Sequence, residues 1–192
     1  EEKIKSKFLY SDGLNLFNIF YYYFQFLKSK LKPRVINANW GLDLIINVIL
    51  KKIKKGIYVD VGCHHPLINN NTYYLYKRGW TGINIDLDFN SIEMFNYFRP
   101  GDDNYKTAVS NKEGEANLYF FHNRAPKNTL NKLNGKGSKL IKKIHTEKLD
   151  NILKRSKIKK IDFLTIDVEG NELNVLKGLN FNKYKPKVVS IE

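Results

Sequence analysis

The sequence predicts a doubly wound α/β domain, built on a mostly parallel sheet and preceded by helices. Three observations carry this. Short runs rich in β-branched and aromatic residues, at 57–61, 82–86 and 162–167, read as buried strands. Segments with helical spacing separate them. Strands that alternate with helices in this way imply parallel pairing, with both faces of the sheet covered.

From the N-terminal side, residues 13–27 carry no charge, yet they are too few for a membrane span and include Asn15, Asn18 and Gln25. Their spacing predicts an amphipathic helix instead. Asn15, Asn18, Tyr22, Gln25, Ser29 and Lys32 form a polar stripe, and Leu16, Phe20, Phe24, Leu27 and Leu31 lie opposite. Asp12 stands at the N-cap and Pro33 beyond the end. A second amphipathic helix puts Leu42, Ile45, Ile46, Ile49 and Ile53 on one face and stops at Gly56. Strands are then expected at 57–61, 82–86, 105–109, 116–121, 162–167 and 188–192. Helices are expected at 72–77, 89–98, 146–153 and 169–177, and 122–137 reads as a polar loop. Arg78-Gly79, Pro100-Gly101, the turn 111–114 and Gly178 punctuate the boundaries. This divides the chain into a helical extension over 1–37 and a main domain over 38–192.

The chain has 192 residues and a net charge of +14. That balance permits nucleic acid, anionic lipid or acidic polysaccharide as a partner. Nearly all of the positive charge is lysine, however, with arginine only at 34, 78, 99, 124 and 155. A chain rich in Lys, Asn and Ile is what an AT-rich genome encodes, and base readout favours arginine. The lysine runs at 51–55 and 157–160 therefore read as solvated faces, and no nucleic-acid partner is expected. Contact with an anionic membrane surface through residues 8–32 is the competing use of the first helix. A single cysteine, Cys63, excludes a disulfide framework and a Cys-rich zinc site, and no secretory signal is visible. The expected compartment is the cytoplasm, with peripheral membrane contact as the variant. Two exposed amphipathic helices favour a homo-oligomer. The last residues, 187–192, have the character of a core strand, from which a chain trimmed at its C-terminal side is expected.

In an open α/β sheet, ligands bind beyond the carboxyl ends of the strands. Those ends read Asp60-Val61-Gly62-Cys63-His64-His65-Pro66, then Asp86-Leu87-Asp88, then Ala108-Val109-Ser110, then Asp167-Val168-Glu169-Gly170. Acidic residues at three of these four ends point to a polar, partly cationic ligand. The first loop holds one glycine, not the three that a dinucleotide pyrophosphate needs. Asp86 stands where a carboxylate can bind a ribose diol. A ligand with a ribose, a positive centre and no phosphate fits, and S-adenosylmethionine is one. Proton transfer at such a site requires a base within reach of the reacting group. His65 titrates in a suitable range, against a loop-bracing role. Asp167 and Glu169 stand where a general base, a ligand for hydroxyl groups or a Mg2+ ligand would sit, and the metal question stays open. Glu169 and Glu172 also suit a helix start.

These residues resemble a known family. Tyr58-Val59-Asp60-Val61-Gly62-Cys63-His64-His65-Pro66, Asn71-Thr72, Lys77-Arg78-Gly79-Trp80 and Gly82-Ile83-Asn84-Ile85-Asp86 are similar to the first half of FkbM-type methyltransferases. Ala108-Val109-Ser110, Lys112-Glu113-Gly114 and the block 161–178 are similar to the rest. The resemblance implies a Rossmann-like methyltransferase fold without its final C-terminal strands, and S-adenosylmethionine-dependent O-methylation of sugar or polysaccharide hydroxyls. It implies cofactor contacts at Asp60, Val61, Gly62, Cys63, Asp86, Leu87, Ala108 and Val109, and catalytic roles for His65, Asp167 and Glu169. Ala38-Asn39-Trp40-Gly41-Leu42-Asp43 stands where such sequences commonly carry Ser-Gln-x-Gly-Glu-Asp. That departure keeps a second reading in play, a non-catalytic Rossmann-like nucleoside-binding module.

Overall fold

The computed structural model describes residues 41–122 and 125–192, together with positions 20, 23, 24, 27, 37 and 38. The helix expected before residue 33 and the membrane contact at 8–32 lie outside the described residues, except for Phe20, Tyr23, Phe24 and Leu27, which are helical and exposed. Among the described residues, no helix is long and apolar enough to cross a membrane.

In chain order the first elements are α1 (Leu42–Ile49), β1 (Ile57–Val61), α2 (Tyr73–Lys77), β2 (Thr81–Asp86), α3 (Phe89–Phe98), β3 (Asp103–Lys106) and β4 (Ala108–Val109). Then follow β5 (Gly114–Phe120), β6 (Leu140–Glu147), α4 (Leu149–Arg155), β7 (Phe163–Ile166), α5 (Glu172–Lys177), α6 (Phe181–Tyr184) and β8 (Val188–Ile191). The main sheet runs β3-β2-β1-β7-β8, and every pair in it is parallel. The strand order reverses at β1, so the switch point falls between β1 and β7. This is the doubly wound, Rossmann-like arrangement the sequence predicts.

Both faces are covered because neighbouring residues point to opposite sides. Val59, Val61, Ile83, Ile85, Leu164 and Ile166 pack against α4 and α5 through Leu149, Ile152, Leu153 and Val175. Tyr58 and Phe163 face the other way, onto Ile46, Leu50, Leu75 and Trp80. The strands start in register through Asp162, which is buried, accepts the Ile57 N–H at 3.0 Å and pairs with Lys187 at 2.7 Å.

The structure corrects several expectations. In α1 the buried face is Ile46 and Leu50, flanked by Leu42 and Ile53, while Ile45 and Ile49 are each 55 % exposed. Residues 46 and 50 stack four apart, and 45 and 49 are turned about 100° away from them. The strand expected over 105–109 is two strands. Thr107 N still donates to the Asp86 carbonyl at 3.0 Å, but Ala108 and Val109 then pair with Thr146 and Glu147 in a second sheet, β4-β6-β5. Strand β6 occupies residues for which no element is expected over 140–145 and a helix is expected over 146–147, so α4 begins at Leu149. Helix α5 begins at Glu172 because Glu169 and Gly170 have φ of 55° and 91°, outside the helical region.

An acid-lined cavity at the strand ends

β1 runs into the first loop with no room to spare. At Gly62 φ is 83°, and a Cβ there would lie 1.8 Å from the Asp167 carbonyl oxygen. The glycine thus lets the ends of β1 and β7 approach each other. Gly62 and Cys63 both donate their N–H to the Ile85 carbonyl, which ties the loop to β2. Cys63 packs on Ile92 and Phe95, and burial holds its thiol well above the usual range, so it is a packed residue and not a nucleophile. His64 has φ of 49° and donates its N–H to Asp86 at 2.9 Å. His65 is buried, and its Nδ1 accepts the N–H groups of Leu67 and Ile68 at 3.0 and 3.1 Å. That nitrogen is engaged in bracing the loop, and His65 is not among the cavity-lining residues, whereas His64 is.

Asp60 and Asp86 close the side of the cavity at the ends of β1 and β2. Asp60 Oδ2 accepts from Thr72 Oγ1 at 2.8 Å and from Asn70 Nδ2 at 3.1 Å. Burial pushes its carboxyl up to about 6, against the bonds from Thr72 and Asn70 and the charge of Arg99. Asp86 accepts from His64 N and, at 2.8 Å, from Asp88 N, and burial pushes it also to about 6. Asp88 caps α3 by accepting the Ser91 N–H at 3.0 Å. The altered stretch before α1 supports the same loop: Asp43 accepts the Asn37 N–H at 2.7 Å, and the Asn37 carbonyl accepts from Asn70 N at 2.9 Å.

The opposite wall is built from the ends of β7 and β8 and from the loop after β5. One oxygen each from Asp167, Glu169 and Glu192 lies within 4.8 Å of the others. Burial, then the hydrogen bond and charge of Glu192, push Asp167 up to about 8. Burial and the charges of Glu192 and Glu172 raise Glu169 as well. The loop clasps this turn: Thr129 Oγ1 donates to the Glu169 carbonyl at 2.6 Å, Asn134 Nδ2 to the same oxygen at 2.9 Å, and Asn131 Nδ2 to the Gly170 carbonyl at 2.7 Å. Glu172 accepts from Val168 N and Gly170 N, so it caps the turn as its helix-start position suggests.

Together these walls enclose a cavity of about 240 Å3. Asp60, Asp86, Asp88, Asp167, Glu169 and Glu192 line it, with Val61, Gly62, Cys63, Leu87, Ala108 and Val109, and among the described residues no lysine or arginine does. Sequence reasoning missed Glu192, although it stands at the end of a strand and the strand-end rule covers it. It also missed Asn71, which donates to Thr165 at 3.0 Å, and Asn171, which donates to the Val109 carbonyl at 3.0 Å. Asparagines in an Asn-rich chain carry no distinguishing signal.

None of the curated proteins or solved structures compared with the chain matches it. The methyltransferase FkbM domain matches residues 60–192, from the carboxylate that ends β1 to the one that follows β8. That match spans well over half of the chain and both walls of the cavity, so the chain belongs to the FkbM methyltransferase domain family and is classed with its S-adenosylmethionine-dependent enzymes.

Proposed function

We propose that the chain methylates a hydroxyl of a sugar or polysaccharide, with the cofactor held in the acid-lined cavity and the acceptor at the Asp167 wall. One observation supports this above the others. A chain of net charge +14 lines its switch-point cavity with six carboxylates and, among the described residues, no lysine or arginine. Such a wall suits a cation and disfavours a phosphate. S-adenosylmethionine, when bound, supplies a methyl group on a positively charged sulfur that is a good leaving group.

The residues fit that ligand. Asp86 receives the ribose diol, and Asp60 the amino-acid end. The backbone of Val61, Gly62 and Cys63 forms the floor, and Leu87, Ala108 and Val109 are the apolar wall beside the nucleoside. Asp167, in its ionised form, takes the proton of the acceptor hydroxyl, and Glu169 orients neighbouring hydroxyls. His65 supports the loop in this reading and does not take the proton. Asp167, Glu169 and Glu192 are also the group that would hold Mg2+. Loss of transfer in EDTA, restored by Mg2+, would assign them to a metal, and EDTA-insensitive transfer would leave them to the acceptor.

Calorimetric titration with S-adenosylhomocysteine tests the site. We expect binding by the wild-type chain and its loss in Asp86→Ala. A folded wild-type chain that does not bind sinks the reading. Binding without methyl transfer to any glycan acceptor would instead favour the nucleoside-binding module.

A further inference from the structure

One cation is wholly buried behind the cavity. Arg99 ends α3, and none of it reaches solvent. Its guanidinium lies 4.9 Å from the Phe95 ring, 5.3 Å from Tyr76 and 5.4 Å from Tyr73. It takes part in none of the ion pairs found among the described residues. In the loop after β1, its Nε and Nη2 donate to the Pro66 carbonyl, Nη1 to Thr72 Oγ1 at 2.8 Å, and Nη2 to Asn70 Oδ1 at 2.6 Å, and the guanidinium also acts on the Tyr58 hydroxyl. Removing a guanidinium from water without a directly paired carboxylate is costly, and an apolar residue would fill such a space more cheaply.

Its bonding pattern suggests what the charge does. Thr72 and Asn70 are the two groups that donate to Asp60. Thr72 is ambivalent by itself. The Thr72 hydroxyl has one proton and two available acceptors, Asp60 Oδ2 and Asn70 Oδ1, the latter at 3.0 Å. The Asn70 amide is already oriented, because its Oδ1 accepts the Thr72 N–H at 3.0 Å and its Nδ2 donates to the Cys63 carbonyl at 3.2 Å. Arginine is donor-only. Together with the Thr72 N–H it fills both lone pairs of Asn70 Oδ1, which removes that oxygen as a competing acceptor for the Thr72 hydroxyl. By donating to Thr72 Oγ1 it leaves the hydroxyl proton directed at the carboxylate.

We propose that Arg99 is a positioning residue for the cofactor: it fixes the direction of the Thr72 hydrogen bond to Asp60, so that Asp60 stands as an oriented carboxylate facing the cavity. This rests on the reading that Asp60 meets the amino-acid end of the cofactor. The other charges acting on Asp60 are acidic, with Asp102 behind it and Asp86 and Asp167 on the cavity side. Arg99 is the opposing cation.

The test compares two ligands. S-adenosylhomocysteine has the amino-acid end, and 5′-methylthioadenosine has the nucleoside without it. Both are titrated into the full chain and into Arg99→Met, Thr72→Val and Asp60→Asn, each checked for folding by circular dichroism. We expect Arg99→Met and Thr72→Val to weaken S-adenosylhomocysteine about tenfold while methylthioadenosine changes less than about twofold. Should Arg99→Met not fold, Thr72→Val decides, because it cuts the link and leaves the guanidinium in place. Equal losses for both ligands in folded variants would show a merely structural role and overturn the proposal, as would an unchanged S-adenosylhomocysteine affinity. If Asp60→Asn itself leaves that affinity unchanged, the placement of the amino-acid end fails, and the proposal for Arg99 fails with it.

Discussion

Asp60→Asn should move folding and binding in opposite directions. Asp60 is 3 % exposed, and its carboxyl sits at about 6 where 3.8 is ordinary, chiefly through burial. A carboxyl whose folded pKa lies above its unfolded one favours the folded state when protonated. That contribution is fully present below pH 3.8 and is lost as pH rises through 6. Moving a carboxyl over this interval corresponds to about 3 kcal/mol. Asparagine offers Thr72 and Asn70 a carbonyl oxygen and carries no charge to bury. We expect Asp60→Asn to be more stable than wild type by about 1–3 kcal/mol at pH 7.5, with the gap closing towards pH 4. Urea denaturation at the two pH values, without ligand, measures it. The same variant should bind S-adenosylhomocysteine at least about tenfold more weakly. A variant less stable than wild type at pH 7.5, or a gap that does not change with pH, would refute the assignment of Asp60 as a buried charge kept for binding.

Further outcomes follow from the same geometry. Gly62→Ala must push β1 and β7 apart, since its Cβ would meet the Asp167 carbonyl in a left-handed backbone conformation. We expect a loss of about 3 kcal/mol or more in urea denaturation, and a fully stable variant would refute the close approach. If Asp167 takes the acceptor proton, it must be ionised, so kcat/KM should rise with pH through about 8. The limb in kcat should lie lower, because a bound cation lowers a neighbouring carboxyl, and coincident limbs would count against Asp167. Binding of S-adenosylmethionine near pH 6.5 should release protons, and S-adenosylhomocysteine, lacking the sulfonium, should release fewer. Calorimetry in buffers of differing ionisation enthalpy reads this directly, and a buffer-independent enthalpy for both ligands would contradict it.

What was legible in the sequence is what burial on both faces imposes. Val59, Val61, Ile83, Ile85, Leu164 and Ile166 are apolar because helices cover them, so their strands stand out as runs. The carboxylates that follow those runs fall on the cavity by the geometry of an open parallel sheet. Strand β6 was illegible for the converse reason. Leu140, Ile141, Lys143 and His145 are exposed, Thr146 alone in the strand is fully buried, and backbone pairing to β5 holds it in place. The kink at Thr107 was hidden because Tyr105 and Val109 both pack on the core, which reads as one continuous strand. In α1 and just beyond it four isoleucines within nine residues offered two apolar faces, and only the packing of Ile46 on the sheet selects one. Arg99 gave no sign at all, since a lone arginine before Pro100 looks like a surface residue after a helix.

The charge of this chain is sorted by depth, which is why its total was a poor guide to its ligand. Surface lysines act on a ligand through water, where screening confines them to about 8 Å. The six cavity carboxylates act at contact distance and in a poorer dielectric. Burial leaves Asp60, Asp86 and Asp167 reluctant to ionise while the cavity is empty. This limits the mutual repulsion that six adjacent acids would otherwise generate. A cation arriving among them lowers their pKa values and is met by charges that were partly suppressed before it came. A neutral or anionic nucleotide gains nothing from that exchange. We therefore expect the cavity to select by the sign of the ligand's charge as well as by its shape, while Arg99, set behind the first loop and away from the cavity lining, opposes the suppression at Asp60.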